Sequence, residues 1–234
     1  MQPALTVSLF HQATFVASIG KLSDLPEEGP PEVAFAGRSN VGKSSAINVL
    51  SNRRRLAFTS KTPGRTQTIN FYDLGDRARI VDLPGYGYAR VPKSIRSQWD
   101  HLVGGYLRVR GSLAGVVVLM DARHPYGAAD AQLIEWLLPL MRSRSFRLAI
   151  LLTKADKLSR RERHAALEAV RRRLRDAGID AEVRLFSALT REGVETLEEL
   201  LLAWLGVGPG DRHPSRALRP ARAPRNKRAP GKGD

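Results

Sequence analysis

Gly37-Arg38-Ser39-Asn40-Val41-Gly42-Lys43-Ser44 decides how this 234-residue chain is read. The stretch meets every fixed position of the pattern G-x-x-x-x-G-K-[ST]. An apolar run, Val33-Ala34-Phe35-Ala36, precedes it and reads as a buried strand. Ser45 to Leu50 follows and reads as part of a helix that starts near Lys43. In that strand–loop–helix order each residue type has a physical task. Gly37 and Gly42 let the backbone curl so that N–H groups converge on phosphate oxygens. The helix start offers unpaired N–H groups and the positive end of a dipole. Lys43 reaches the β- and γ-phosphates, and the Ser44 hydroxyl is a ligand for Mg²⁺.

Outward from this loop, strands and helices alternate. Ala13 to Ile19 reads as an edge strand within an N-terminal extension, residues 1–32, whose Pro26, Gly29, Pro30 and Pro31 turn the chain into the strand at Val33. The helix after the loop runs to about Ser51. Ser51 to Thr68 has no periodicity and contains Pro63-Gly64, so it reads as a loop. Ile69 to Leu74 and Arg77 to Val81 read as strands joined at Gly75-Asp76. Gly85 to Arg90, rich in glycine and tyrosine, reads as a mobile segment, and Ser94 to Val109 as a helix. Gly115 to Met120 is wholly apolar, as a strand covered on both faces must be. Leu133, Trp136, Leu137, Leu140 and Met141 keep helical spacing, with Pro139 expected to kink or end that helix.

Leu148 to Leu152 is a further buried strand. Leu167, Val170 and Leu174 form the apolar stripe of an Arg-rich helix, with Ser159 as N-cap, Glu162 three residues on, and Gly178 beyond its end. Glu182 to Phe186 and Val194 to Leu205 supply a last strand and a last helix. The alternation predicts an α/β fold: a doubly wound, mostly parallel sheet with helices on both faces, over residues 33–206.

Residues 207–234 have a different character. Five prolines punctuate a segment with no apolar periodicity and eight basic against two acidic side chains, a balance of +6 out of a total of +15. Such a tail is expected to be disordered alone, either as a binder of RNA phosphates or as a solvated extension. The overall charge favours a polyanionic partner. The absence of cysteine excludes disulfides and thiolate metal sites. The N-terminus has no early Lys or Arg, and no apolar run is long enough to span a bilayer, so a soluble, cytoplasmic protein is expected. No feature demands a dimer, and a monomer is expected.

A phosphate loop alone allows an ATPase, a kinase or a GTPase. Asp82-Leu83-Pro84-Gly85, at a strand's C-terminal end, supplies a carboxylate that can hold Mg²⁺ through water and an N–H at Gly85 that can sense a γ-phosphate. Thr153-Lys154-Ala155-Asp156 resembles the [NT]-K-x-D guanine box of GTPases. Asp156 would accept the guanine N1–H and N2–H₂, which adenine cannot offer together, with the Lys154 stem over the base. Thr153 stands where asparagine is usual. Phe186-Ser187-Ala188 resembles the loop that backs the guanine O6. In Gly64-Arg65-Thr66-Gln67-Thr68 the resemblance to a P-G-x-T switch makes Thr66 the second protein ligand to Mg²⁺, with Thr68 as fallback.

Gly37 to Ser45, Thr62 to Gln67, Asp82 to Ala89 and Thr153 to Leu158 together resemble the EngB (YihA/YsxC) GTPases. These form a bacterial branch of the Era-like, TrmE-related class with a Ras-like P-loop fold. The likeness covers roughly residues 13–205, and Leu83 to Ala89 is its most specific element. It implies GTP and GDP as ligands, a role in large ribosomal subunit assembly on the subunit or its rRNA, and a part in normal cell division and septation. The basic tail is not a core feature of the family. Lys43, Thr66 and Gly85 are the expected catalytic residues. Tyr86 stands where Ras-like enzymes place a water-orienting glutamine, so slow intrinsic hydrolysis is expected. Asn40, by resemblance to related Era-like GTPases, would help hold a potassium ion that supplies charge to the reaction; the other reading is that it only fits the turn. Two competing functions are a GTP-dependent rRNA-binding module without turnover and a membrane-associated division protein.

Overall fold

Seven strands form one sheet in the order β1-β3-β4-β2-β5-β6-β7. The computed structural model describes residues 8–58, 68–87, 93–144 and 146–208, without the side chains of 93–98 and 144. The strands are β1 (Ala13–Ile19), β2 (Glu32–Gly37), β3 (Ile69–Leu74), β4 (Ala78–Asp82), β5 (Leu113–Asp121), β6 (Arg147–Thr153) and β7 (Glu182–Leu185). The helices are α1 (Lys43–Leu50), α2 (Lys93–Val109), α3 (Ala128–Arg144), α4 (Arg160–Asp176) and α5 (Val194–Trp204). Strands β4, β2, β5, β6 and β7 pair in parallel, while β1 and β3 join antiparallel at one edge.

The central strands are apolar throughout because helices cover both faces. Alternate residues serve opposite layers. Ala34, Ala36, Val116, Val118, Ile150 and Leu152 pack with α2, α3 and α4. Val33, Phe35, Val117, Leu119 and Leu151 pack with α1, α5 and the turn at Leu9-Phe10. Phe35 has no exposed surface, and truncating such a side chain to alanine costs about 3–5 kcal/mol. The edge strand β1 carries a register irregularity between Phe15 and Ala17; breaking a flat edge in this way limits pairing with other chains.

Helix α4 is fully capped. Its first turn carries the reciprocal Ser159–Glu162 box, and at its end Gly178 (φ +66°) lets the Gly178 and Ile179 N–H groups close onto the Arg175 and Leu174 carbonyls. Of the two outcomes expected of Pro139, a kink or an end, the end does not occur: α3 continues to Arg144. Pro139 and Glu135 are both exposed, so water can satisfy the carbonyl that the proline leaves unpaired.

At the end of the sheet away from the phosphate loop, the fully buried Glu32 accepts hydrogen bonds from Arg79, Arg110 and Tyr106. Arg110 also donates to the Pro26 and Glu27 carbonyls, which ties the N-terminal extension to the end of α2. Every charge there has a partner, which is the condition for tolerating it in a core.

Candidate functional site

The site assembles where β2, β4, β5 and β6 end. β2 stops at Gly37, where a side chain would begin 2.7 Å from Val41 Cγ1. The turn that follows puts Asn40 in the left-handed region (φ 62°), which asparagine tolerates better than most residues, and Gly42 at φ 105°. Gly42 is the N-cap of α1 and offers no side-chain bond to the first turn, whose N–H groups face the loop. Val41 is buried and its side chain belongs to the core.

Lys43 forms an ion pair with Asp82, the last residue of β4. Ser44, at the start of α1, is buried, and its hydroxyl lies 3.4 Å from the Phe58 carbonyl. Beyond Asp82, two backbone bonds knit the D-x-x-G segment to the phosphate loop: Ser39 N–H donates to the Tyr86 carbonyl and Tyr86 N–H to the Gly37 carbonyl, each at 3.3 Å. Gly85 passes so close to Ser39 that a Cβ would begin 2.8 Å from its hydroxyl oxygen. That hydroxyl is buried with no hydrogen-bond partner among the described residues. Leu83 is a core residue, and its N–H donates to the Phe35 carbonyl; the Pro84 carbonyl accepts from the Trp99 indole at 2.9 Å.

Tyr86 is buried and pinned, although the sequence suggests a mobile segment from Gly85. Its hydroxyl donates to Asp130 at 2.9 Å and its ring meets Trp99 edge-on. Burial first, then Asp130, pushes the Tyr86 hydroxyl far above its ordinary range; burial likewise pushes the Asp130 carboxyl up, against the bonds from Tyr86 and Gly127. Arg38 is exposed and turns toward Gly87 and Gly127.

At the end of β6, Thr153 does more than replace an asparagine. Its buried hydroxyl lies 2.6 Å from the Val41 carbonyl and 3.1 Å from that of Met120, which ties the guanine-box segment to the phosphate loop. Lys154 (φ 59°) crosses the same gap, donating to the Asn40 carbonyl at 2.9 Å and to Asp121 at 3.0 Å. The Ser187 hydroxyl donates to Asp156 at 2.6 Å, and this bond, foremost, holds the Asp156 carboxyl below its ordinary range. Ala155 and Phe186 are buried and exchange a backbone bond, Ala155 N–H to the Phe186 carbonyl. Phe186 therefore contributes mainly as backbone and core, not as an open contact. A cavity of about 700 Å³ joins Gly42 and Ser45 to Thr153, Lys154, Asp156, Phe186 and Ala188.

Sequence reasoning missed several neighbours. Asp121 ends β5 and pairs with Lys154 and Arg123; burial raises its carboxyl, but these hydrogen bonds outweigh it and leave the group well below its usual range. Asn48 on α1 clasps the following loop, accepting from the Leu56 and Ala57 N–H groups and donating to the Ala57 carbonyl. Asn48, Arg53, Arg54, Leu189 and Arg191 also line the cavity. An asparagine inside a short helix, followed by an irregular loop, was the available signal. Gly64, Arg65, Thr66 and Gln67 lie outside the described residues, so the expected γ-phosphate switch and second metal ligand do too. Thr68 is half-buried, with its hydroxyl 3.4 Å from Asn70 Oδ1.

A phosphate loop and a guanine-box segment in contact through Thr153 and Lys154 form the arrangement of a GTP-binding domain. The profile of the 50S ribosome-binding GTPase family matches residues 32–154. The chain is 51% identical over 203 residues to a probable EngB GTP-binding protein of Aromatoleum aromaticum, covering 87% of this chain and 92% of that one. With the corresponding protein of Nitrosomonas europaea it shares 46% identity over 230 residues, or 98% and 100% of the two chains.

The chain belongs to the EngB family of GTP-binding proteins.

Solved structures agree on the fold. A crystal structure of a probable EngB superposes with a TM-score of 0.57 at 20% identity, over 75% of this chain and 98% of that one. Era in complex with a magnesium-bound GTP analogue and a piece of 16S ribosomal RNA superposes at 0.55 and 18%, over 76% and 57%. The EngB chain is thus a GTPase of the ribosome-binding type, with the predicted doubly wound sheet. Among the described residues no helix is long and apolar enough to cross a membrane.

Proposed function

We propose that this EngB protein is a slow GTP-hydrolysing switch, monomeric and cytoplasmic, that acts in assembly of the large ribosomal subunit, with an effect on cell division that follows from that role. The observation that carries the reading is the double backbone bond between the phosphate loop and the D-x-x-G segment at Ser39 and Tyr86. A γ-phosphate bound at the loop meets both strands of that contact, so its presence or loss reaches α2 through Tyr86 and Trp99.

In this reading residues 33–206 are the switch domain, 1–32 an extension carrying the edge strand, and 207–234 a separate basic tail. Lys43 exchanges the Asp82 carboxylate for the β- and γ-phosphates when nucleotide enters. The Ser44 hydroxyl, buried at the start of α1, and the Asp82 carboxylate suit a magnesium ion that keeps most of its water and phosphate ligands. Thr66 is the other protein ligand in this proposal. When bound, the ion would neutralise charge on the β- and γ-phosphates. Asp156, held ionised by Ser187, reads guanine, and Gly85 N–H senses the γ-phosphate. Tyr86 has both backbone and hydroxyl committed, so it orients no water, which supports a low intrinsic rate.

Potassium is the proposed accelerator, held in part by Asn40. The left-handed backbone there gives asparagine a second, purely conformational reason to be present. Hydrolysis compared in potassium and sodium chloride, for the native chain and Asn40→Ala, separates the two. Faster turnover in potassium that Asn40→Ala abolishes supports the ion; equal rates in both salts remove it.

The ribosomal reading is tested by co-sedimentation with separated ribosomal subunits in GDP or a non-hydrolysable GTP analogue. Binding to the large subunit only with the analogue is the expected result. Binding indifferent to nucleotide reduces the interaction to general polyanion affinity. The pinned Tyr86 also favours a second reading, a GTP-dependent rRNA binder without turnover, which multiple-turnover phosphate release would exclude.

A further inference from the structure

The basic balance of this protein is not spread evenly over its helices. Helix α4 carries seven arginines against Glu162, Glu168 and Asp176, whereas α5 carries three glutamates and no basic residue. A uniformly arginine-rich composition would not produce that contrast. Within α4, Arg163 is paired with Glu192, Arg171 with Glu168, and Arg173 with the Tyr126 carbonyl and ring. Glu162 is spent in the capping box. The side chains of Arg160, Arg161, Arg172 and Arg175 are exposed and have no partner among the described residues.

Helical spacing aligns three of them. Arg161, Arg172 and Arg175 lie eleven and fourteen residues from the first on one face, within about 40° of a common line and over ~21 Å, with Glu168, paired to Arg171, between them. The placement runs against helix stability at one end. Arg160 and Arg161 occupy the first turn, where the helix dipole is positive and cations are disfavoured. Arg175 in the last turn has a dipole reason; the two at the start have none, so an external anion is the better account of them.

We infer that the outer face of α4 is a docking ridge for the phosphate backbone of a folded RNA, which makes it the contact surface of the ribosomal function proposed above and rests on that reading. Apart from His164, every basic residue of the helix is arginine, whose planar fork engages phosphate oxygens in pairs. A lipid surface fits less well: none of the exposed large hydrophobic residues, Phe15, Val16, Phe58, Val109 and Leu189, lies on α4 to insert between acyl chains. The ridge begins at Arg161, five residues after Asp156, and the buried side of α4 packs in the same layer as α2 and α3. An RNA held there therefore lies against the helical layer that follows the D-x-x-G segment.

The test uses the full chain with the triple replacement Arg161→Glu, Arg172→Glu and Arg175→Glu, and a milder set with glutamine at the same positions. A charge-matched control carries Arg216→Glu, Arg219→Glu and Arg222→Glu in the tail. Each protein is titrated against purified large ribosomal subunits, the RNA extracted from them, and vesicles of anionic phospholipid, over a salt series with the GTP analogue present. The ridge variants should keep native basal hydrolysis and lose subunit and RNA affinity at least tenfold, with the salt slope reduced by about 2–3. The tail control should lose less.

Native affinity and slope in both ridge variants would overturn the ridge while leaving the ribosomal reading standing. If the native chain ignores subunits but binds the extracted RNA through α4, the ribosomal reading fails and the ridge survives. If the ridge variants lose only vesicle binding, the surface is a lipid contact and the inference is wrong.

Discussion

The hydroxyl of Ser39 sits 2.8 Å from the point where a side chain on Gly85 would begin. No ordinary Cβ contact is that short, so the D-x-x-G segment can lie against the phosphate loop only with glycine at this position. In Gly85→Ala the methyl group must push the segment away or turn Ser39 aside, straining the two 3.3 Å backbone bonds at Tyr86. Affinity for a GTP analogue is expected to fall at least tenfold while affinity for GDP changes less than about threefold, since in the proposed switch only a γ-phosphate reaches Gly85. Adding Ser39→Gly should recover part of the loss. Fluorescent-nucleotide titrations measure both; equal losses for GDP and the analogue would disprove a γ-phosphate role for this contact.

Thr153 contributes differently. Its hydroxyl, 2.6 Å from the Val41 carbonyl, ties the segment that resembles a guanine box to the phosphate loop. Thr153→Val keeps the shape and removes the bond. A buried hydrogen bond of this kind is worth about 1–2 kcal/mol, so GTP and GDP affinities should fall together by about 5–30-fold. Thermal melting with and without nucleotide separates lost binding from lost stability. A variant that melts lower but binds normally would make the tether structural only.

The Ser187–Asp156 bond sets a pH dependence. Asp156 is held below its ordinary range chiefly by the Ser187 hydroxyl, and in the proposed function it is the ionised carboxylate that accepts from guanine. Binding should be flat above the ordinary carboxylate range and weaken as pH falls through the lowered folded value; the stability tied to this group is lost in the same direction. Ser187→Ala removes the main cause of the depression, so the acid limb of GDP binding should move to higher pH while affinity at pH 7 drops only about 2–5-fold. A titration from pH 7 down to about pH 3, through the ordinary carboxylate range, reads the shift; superimposable acid limbs for the two proteins would show that Ser187 does not tune Asp156.

The architecture was legible because a sheet covered on both faces leaves unbroken apolar strands, while the helices that cover it keep a stripe of period 3.6. β1 and β3 match the sequence bounds, as does the cap of α4 at Ser159 and Gly178. Whether Pro139 would end α3 was not legible, because the cost of proline depends on whether water reaches the freed carbonyl, which no local pattern reveals. The buried Glu32 with Arg79 and Arg110, and Asp121 beneath Lys154, were invisible for a related reason. Their partners lie far apart in sequence, as Glu32 and Arg110 do, and only the fold brings them together. Motif spacing singled out residues 37–44 and 153–156, but not that Thr153 and Lys154 bridge the two segments.

Tyr86 gives the sharpest test of the slow-hydrolysis proposal. It occupies the position after D-x-x-G where a glutamine would orient water, and its environment explains why restoring glutamine should not restore speed. The backbone is bonded to Gly37 and Ser39, and the side chain points into a buried contact with Asp130 and Trp99. In Tyr86→Gln the amide would face that pocket, not the γ-phosphate, and the raised Asp130 carboxyl would lose its phenol donor. Losing a buried partner costs about 1–3 kcal/mol, so melting should fall by several degrees while basal turnover stays within about twofold. Tyr86→Phe should match that stability loss without changing the rate. A large acceleration in Tyr86→Gln would mean that the segment frees itself from the phosphate loop in the GTP state, and that the missing glutamine alone limits hydrolysis.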